Sequence, residues 1–133
     1  MSTIFEKIIA REIPGYIIYE DERVAAFLDI NPITTGHVLV VPRKAFVNAF
    51  DIPSETLAQM VRVAQMIALR QHTTLNAEGV NFFMSSGEAA GQEVPHAHLH
   101  VIPRNLGDHA IPTSFPTSKT SPEELAAIAE KLR

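Results

Sequence analysis

Apolar positions change their spacing several times along this chain, and each change marks an element. Ile4, Phe5, Ile8 and Ile9 recur at helical spacing, which predicts a short amphipathic helix over 4–11. Pro14-Gly15 breaks it. Two short apolar runs, 16–19 and 24–28, flank Glu20-Asp21-Glu22-Arg23 and read as a hairpin. Residues 29–36 are rich in turn formers, and 37–41 form a β-branched strand that Pro42 stops. The longest helix starts after Ile52-Pro53, with Ser54 as N-cap and Glu55 at the positive end of the dipole. Leu57, Met60, Val61, Ala64, Ile67 and Ala68 supply its buried stripe, and Gly79 lies just past its end. A strand over 81–84 and a polar loop over 85–93 precede an alternating strand over 96–103. Residues 104–120 read as irregular. Ser121-Pro122-Glu123-Glu124 opens a last helix, with Ser at N-cap, Pro at N1 and Glu at N3, that runs to about residue 132. The order is helix, three strands, long helix, two strands, helix. Short early connections favour an antiparallel sheet in an α+β fold.

Composition narrows the classes. A chain of 133 residues with 46% hydrophobic and 20% charged residues predicts one compact domain with a real core. With no cysteine, it has no disulfide, no thiolate metal ligand and no cysteine nucleophile. A net charge of −4 without a Lys/Arg cluster argues against nucleic-acid partners. The first residues lack a basic region followed by a long apolar run, and no apolar stretch reaches membrane-spanning length, so a cytoplasmic protein with no membrane partner is expected.

The alternating segment carries the chemistry. In His96-Ala97-His98-Leu99-His100-Val101, a period of two places three imidazoles on one face and three apolar residues on the other. One such histidine is usually an outer polar residue, but three in register are harder to explain structurally. A zinc site is a second reading. However, same-face neighbours on a strand lie about 6.6 Å apart and the outer pair about 13 Å, too far for three bonds of about 2 Å to one ion. The third reading is nucleophilic catalysis. A neutral imidazole attacks phosphorus and carries the phosphoryl group, while a second protonates the leaving group or holds a nonbridging oxygen. The preceding Gly87-Glu88-Ala89-Ala90-Gly91-Gln92 loop lets backbone N–H groups approach an anion.

The triple histidine, together with Thr3-Ile4-Phe5-Glu6-Lys7-Ile8, Ala26-Phe27-Leu28-Asp29-Ile30-Asn31-Pro32, Gly36-His37-Val38-Leu39-Val40-Val41-Pro42 and the Gly87–Gln92 loop, resembles the histidine triad (HIT) family of nucleotide hydrolases and transferases. The likeness spans about residues 3–108. It implies a HIT domain over 1–108, with 109–133 as a loop-and-helix extension of the same domain. It also implies a homodimer whose two five-stranded antiparallel sheets join, an AMP-like purine nucleotide ligand, and cleavage between the α-phosphorus and an amine, phosphate or nucleotide leaving group. No metal or organic cofactor is implied for the covalent step. By position, the resemblance makes His98 the nucleophile, with His96 and His100 orienting it and contacting phosphate. Asp29 would hold the ribose hydroxyls, Ile8, Phe27 and Ile30 the base, and Gly91 and Gln92 the phosphate or leaving group. His37, His72 and His109 carry no motif support and read as surface or packing residues.

The chain also departs from the family pattern. The structural zinc of many bacterial relatives uses two cysteines and a histidine at positions that here are Thr3, Glu6 and Ala45, so no structural zinc is expected. The residue after Gln92, usually Ser or Thr, is Glu93, and an upstream Asn or Gln position is Ser85. An ionised glutamate donates no hydrogen bond. It turns to solvent, redirects the site toward basic leaving groups such as amines, or weakens catalysis and leaves a nucleotide-binding regulatory or scaffolding protein. The sequence leaves all three open.

Overall fold

A computed structural model describes residues 2–133. Helix α1 (Ile4–Ile9) opens on a capping box: the Thr3 hydroxyl accepts from the Glu6 N–H, and the Glu6 carboxylate accepts from the Thr3 N–H. The strands β1 (Ile17–Glu20), β2 (Val24–Leu28), β3 (Val38–Pro42), β4 (Gly79–Phe83) and β5 (Leu99–Arg104) form one antiparallel sheet in the order β1-β2-β3-β5-β4. Helix α2 (Ser54–Thr74) lies between β3 and β4 in sequence, and α3 (Pro122–Leu132) closes the chain. The fold is α+β, as the order of elements predicts.

The sheet is covered on both faces at its centre. Val24, Ala26, Val38, Val40, Leu99 and Val101 pack with Met60, Val63, Ala64 and Ile67 of α2. Ala25, Phe27, Leu39 and Val41 pack on the other face with Phe5 of α1. Two-sided burial explains why β2 and β3 read as continuous apolar runs rather than alternating ones. Each fully buried aliphatic side chain contributes about 1.5–3 kcal/mol. Gln71 ties α2 to the site-bearing segments: its Nε2 donates to the carbonyls of Gly36 and Val101.

Several boundaries differ from the sequence expectation. Pro53 holds the N-cap position of α2 without a side-chain bond, and Ser54 is the first helical residue. Val61 is exposed and Val63 buried, because the stripe through Met60, Val63, Ala64 and Ile67 has no room for a residue about 100° around the axis from Met60. Helix α2 ends at Thr74, and Gly79 begins β4 instead of capping the helix. The histidine segment pairs only from Leu99 onward. Before that, the Ala97 N–H donates to the Phe46 carbonyl and the His96 carbonyl is taken by the His98 ring, which removes both groups from the ladder. Helix α3 is capped by Ser121 as predicted and buries none of its residues. Among the described residues no helix is long and apolar enough to cross a membrane.

Candidate functional site

A cavity of about 460 Å³ opens between α1, the ends of β2 and β4, the 85–94 loop and the histidine segment. Of the residues singled out by sequence, Ile8, Phe27, Asp29, Ile30, Ser85, Gly91, Glu93, His98 and His100 line it. His96 and Gln92 are not on its wall.

The imidazoles form a directed hydrogen-bond network, and carbonyl partners fix the direction because a carbonyl oxygen only accepts. His96 is fully buried. Its Nε2 lies 2.7 Å from the Pro42 carbonyl, so Nε2 carries the proton and Nδ1 is free to accept from the Thr3 hydroxyl at 2.7 Å. The His96 carbonyl in turn receives the His98 Nδ1–H at 2.8 Å. Neutral His98 therefore keeps its lone pair on Nε2. Phe5 stands edge-on to both rings, with centroids 5.4 and 5.1 Å away, and limits their rotation.

His37 extends the network from the other side. It is 1% exposed, and its Nδ1 accepts from the Ile33 N–H at 3.1 Å. Its proton must then sit on Nε2, which donates to His100 Nδ1 at 2.9 Å. His100 consequently carries its own proton on Nε2. Burial, the first cause in each case, lowers the affinity of His37, His96 and His100 for a second proton. For His100, with His98 and His37 adding repulsion, the pKa falls to about 4. Near neutral pH His37, His96 and His100 are thus neutral, and His100 presents an N–H donor to the cavity.

The sequence reading placed His37 among surface or packing residues. The structure corrects this by putting it in the network beside Asp29, whose carboxylate lies 3.7 Å from His37 Nε2. Phe83 was also missed. It pairs across the ladder with His100 and stacks on it, centroids 4.3 Å apart and planes 23° from parallel. Only strand register identifies it. Asn31 lines the cavity as well, and its N–H donates to Asp29 Oδ1. Gln92 departs from its expected position near phosphate: its Oε1 accepts from the Gly87 N–H and Asn48 Nδ2, and its Nε2 donates to the Val47 and Val94 carbonyls. That side chain braces the loop. His72 and His109 are exposed and lie outside the cavity lining.

Asp29, His37 and His100 offer donor atoms within 4.8 Å of one another, a spacing that a cation could use. The Ile33 N–H argues against that use. It occupies His37 Nδ1, so a metal on Nε2 would require either a doubly deprotonated ring or loss of that bond. Of Thr3 and Glu6, which stand at the expected zinc-cysteine positions, Thr3 bonds His96 and Glu6 closes the cap on Thr3.

Comparison with known proteins places this geometry. A family model described as the HIT domain matches residues 10–107. An uncharacterized HIT-like protein of Methanocaldococcus jannaschii is 44% identical over 106 residues, covering 79% of this chain and 81% of that one. The adenosine 5'-monophosphoramidase of Candida albicans is 32% identical over 136 residues, covering 99% of this chain and 90% of that one. In three dimensions the chain resembles a crystal structure of a HIT family member from Bacillus subtilis, with a TM-score of 0.91 and 36% identity, across 99% of this chain and 95% of that one.

Proposed function

This chain belongs to the histidine triad (HIT) family, and from that premise we propose that it is a nucleotide-binding hydrolase acting on nucleoside 5'-phosphoramidates or dinucleoside polyphosphates. One observation carries the reading: the His96 carbonyl holds the His98 Nδ1–H, leaving an Nε2 lone pair at the wall of a cavity. In the first step that lone pair bonds to the α-phosphorus while the bond to the leaving group breaks. A departing amine takes a proton from water in the open cavity. In the second step water attacks the nucleotidyl-histidine, its oxygen stays on phosphorus, its released proton neutralises the hydroxide left by the first step, and the His98 ring is released with its lone pair. His100 donates Nε2–H to a nonbridging oxygen, a bond that strengthens as charge builds there. His96 touches no substrate and orients His98. Asp29 retains free lone pairs for ribose hydroxyls. Ile8, Phe27 and Ile30 flank the purine, and the Gly91 backbone approaches the phosphate. The phosphoramidase name of the Candida albicans relative supports the reaction class. Protein side chains supply the covalent step, without a cofactor.

The same reading includes a homodimer with joined sheets. Strand β4 is an edge of the sheet, all five of its residues are exposed, and Val80 and Phe82 project from it. Val61 and Leu69 add exposed apolar surface on α2. An open apolar edge of this kind favours pairing with another chain.

The test is single-turnover chemistry with His98→Ala as control. Wild type should trap an acid-labile nucleotidyl-histidine. His98→Ala should lose at least about 10³-fold in kcat, as removal of a covalent nucleophile does, while AMP still binds. AMP binding without any trapped intermediate in wild type would identify a regulatory nucleotide-binding protein instead, the reading that Glu93 at the cavity wall favours.

A further inference from the structure

The cavity carries an unusual charge pattern for a site that receives a phosphate. Its lining contains two carboxylates, Asp29 and Glu93, and neither lysine nor arginine. Asp29 is engaged, with Asn31 N–H on one oxygen and His37 Nε2 near the other. Glu93 is not: none of the salt bridges among the described residues includes it. Its backbone is set between two braced neighbours. Gln92 makes four side-chain bonds across the loop, and one of them ends on the Val94 carbonyl. Glu93 is exposed on that fixed backbone and lines the same cavity as Ser85, Gly91 and His98.

We propose that Glu93 selects nucleoside phosphoramidates whose departing amine carries a second, positively charged group. The inference rests on the hydrolase reading above and specifies its substrate. With the nucleoside against Ile8, Phe27, Asp29 and Ile30 and phosphorus at His98, the leaving group falls to Ser85, Gly91 and Glu93. An amine bearing a distal ammonium pairs with the carboxylate. A polyphosphate brings further negative charge to the same place, where no lysine or arginine offsets it, and is repelled. The chemistry at phosphorus is unchanged. His98 Nε2 bonds to phosphorus, the P–N bond breaks and the amine takes a proton from water; a second water then adds its oxygen to phosphorus, its released proton neutralises the hydroxide left by the first, and His98 is freed. The ammonium takes no part in bond making and acts only through Glu93.

Two probes of equal length separate this from general reactivity: the adenosine 5'-phosphoramidates of n-pentylamine and of 1,4-diaminobutane. Any intrinsic effect of the ammonium on leaving ability is common to all enzyme variants and cancels between them. Wild type should favour the diamine probe in kcat/KM by about fivefold more than Glu93→Gln does, the scale of one partly exposed ion pair, and high salt should shrink the difference. Glu88→Gln removes the same charge from the same loop, outside the cavity lining, and should keep the wild-type preference. An equal preference in wild type and Glu93→Gln overturns the inference and leaves the hydrolase reading standing. Equal losses in Glu93→Gln and Glu88→Gln also overturn it, because the field of the loop, not Glu93, would then be selecting. Failure of wild type to cleave either probe overturns the inference together with the phosphoramidate half of the hydrolase reading.

Discussion

Thr3 shows how much a single side chain carries here. Its hydroxyl caps α1 by accepting from the Glu6 N–H and donates to His96 Nδ1 at 2.7 Å. The donation satisfies a nitrogen that is otherwise buried and helps hold the ring whose carbonyl fixes the His98 tautomer. A buried acceptor left without a partner costs about 1–3 kcal/mol, and loss of an N-cap costs about 1 kcal/mol. Thr3→Val, which keeps the shape and removes the hydroxyl, should therefore destabilise the protein by roughly 2 kcal/mol in urea unfolding. Thr3→Ser should recover most of that. Equal stabilities for the two variants would show that the hydroxyl contributes nothing. The alternation at 96–100 made all three histidines legible at this scale. It did not separate their roles, because period two assigns a face and says nothing about which ring ends up under α1. His37 lacked any such pattern, since its partner is His100, 63 positions away.

At the scale of elements, β4 has two duties. Phe83 stacks on His100 toward the cavity, while Val80 and Phe82 face away and are exposed at the sheet edge. If that edge joins a second copy, a charge there disrupts the assembly, since like charges from two subunits would meet on adjoining strands. Val80→Lys combined with Phe82→Lys should convert a dimer into a monomer in sedimentation equilibrium, while the same pair of charges at Ile18 and Tyr16 near the opposite edge should not. A wild-type protein that sediments as a monomer would remove the dimer from the account. The helical pattern of 54–74 is readable from spacing, but it assigns Val61 to the buried face where the structure buries Val63. Apolar period alone locates a stripe only to within the arc of a neighbouring residue, and contact with the sheet decides the rest.

For the whole molecule, the buried rings couple folding to pH. His37, His96 and His100 bind a second proton more weakly in the folded state than in the unfolded chain. The unfolded chain protonates its histidines as pH falls through about 6.5, and the folded protein resists until about 4 at His100. The unfolded state therefore holds more protons in that window, and stability drops as pH falls. The carboxylates Glu20 and Asp21, each held at about 2 chiefly by hydrogen bonds, act in the opposite sense of charge and later. Their contribution is complete above the unfolded carboxylate range and is lost only as pH falls further. The midpoint of urea unfolding should be flat from pH 8 to 7 and decline from 6.5 to 4.5. A constant midpoint down to pH 5 would mean that these rings titrate as they do in water.

Local spacing determined the element types, their order, the α+β class and the row of imidazoles, because helix and strand periods are set by neighbours in the chain. Tertiary structure alone decided which way each proton points. The Pro42 carbonyl and the Thr3 hydroxyl reach His96, and His37 reaches His100, only after the sheet and α1 come together. It also decided that Gln92 braces a loop and that Glu93, in no salt bridge among the described residues, lines a cavity with neither lysine nor arginine in its wall. Contacts between residues far apart in sequence leave no period behind them, so neither fact could be read along the chain.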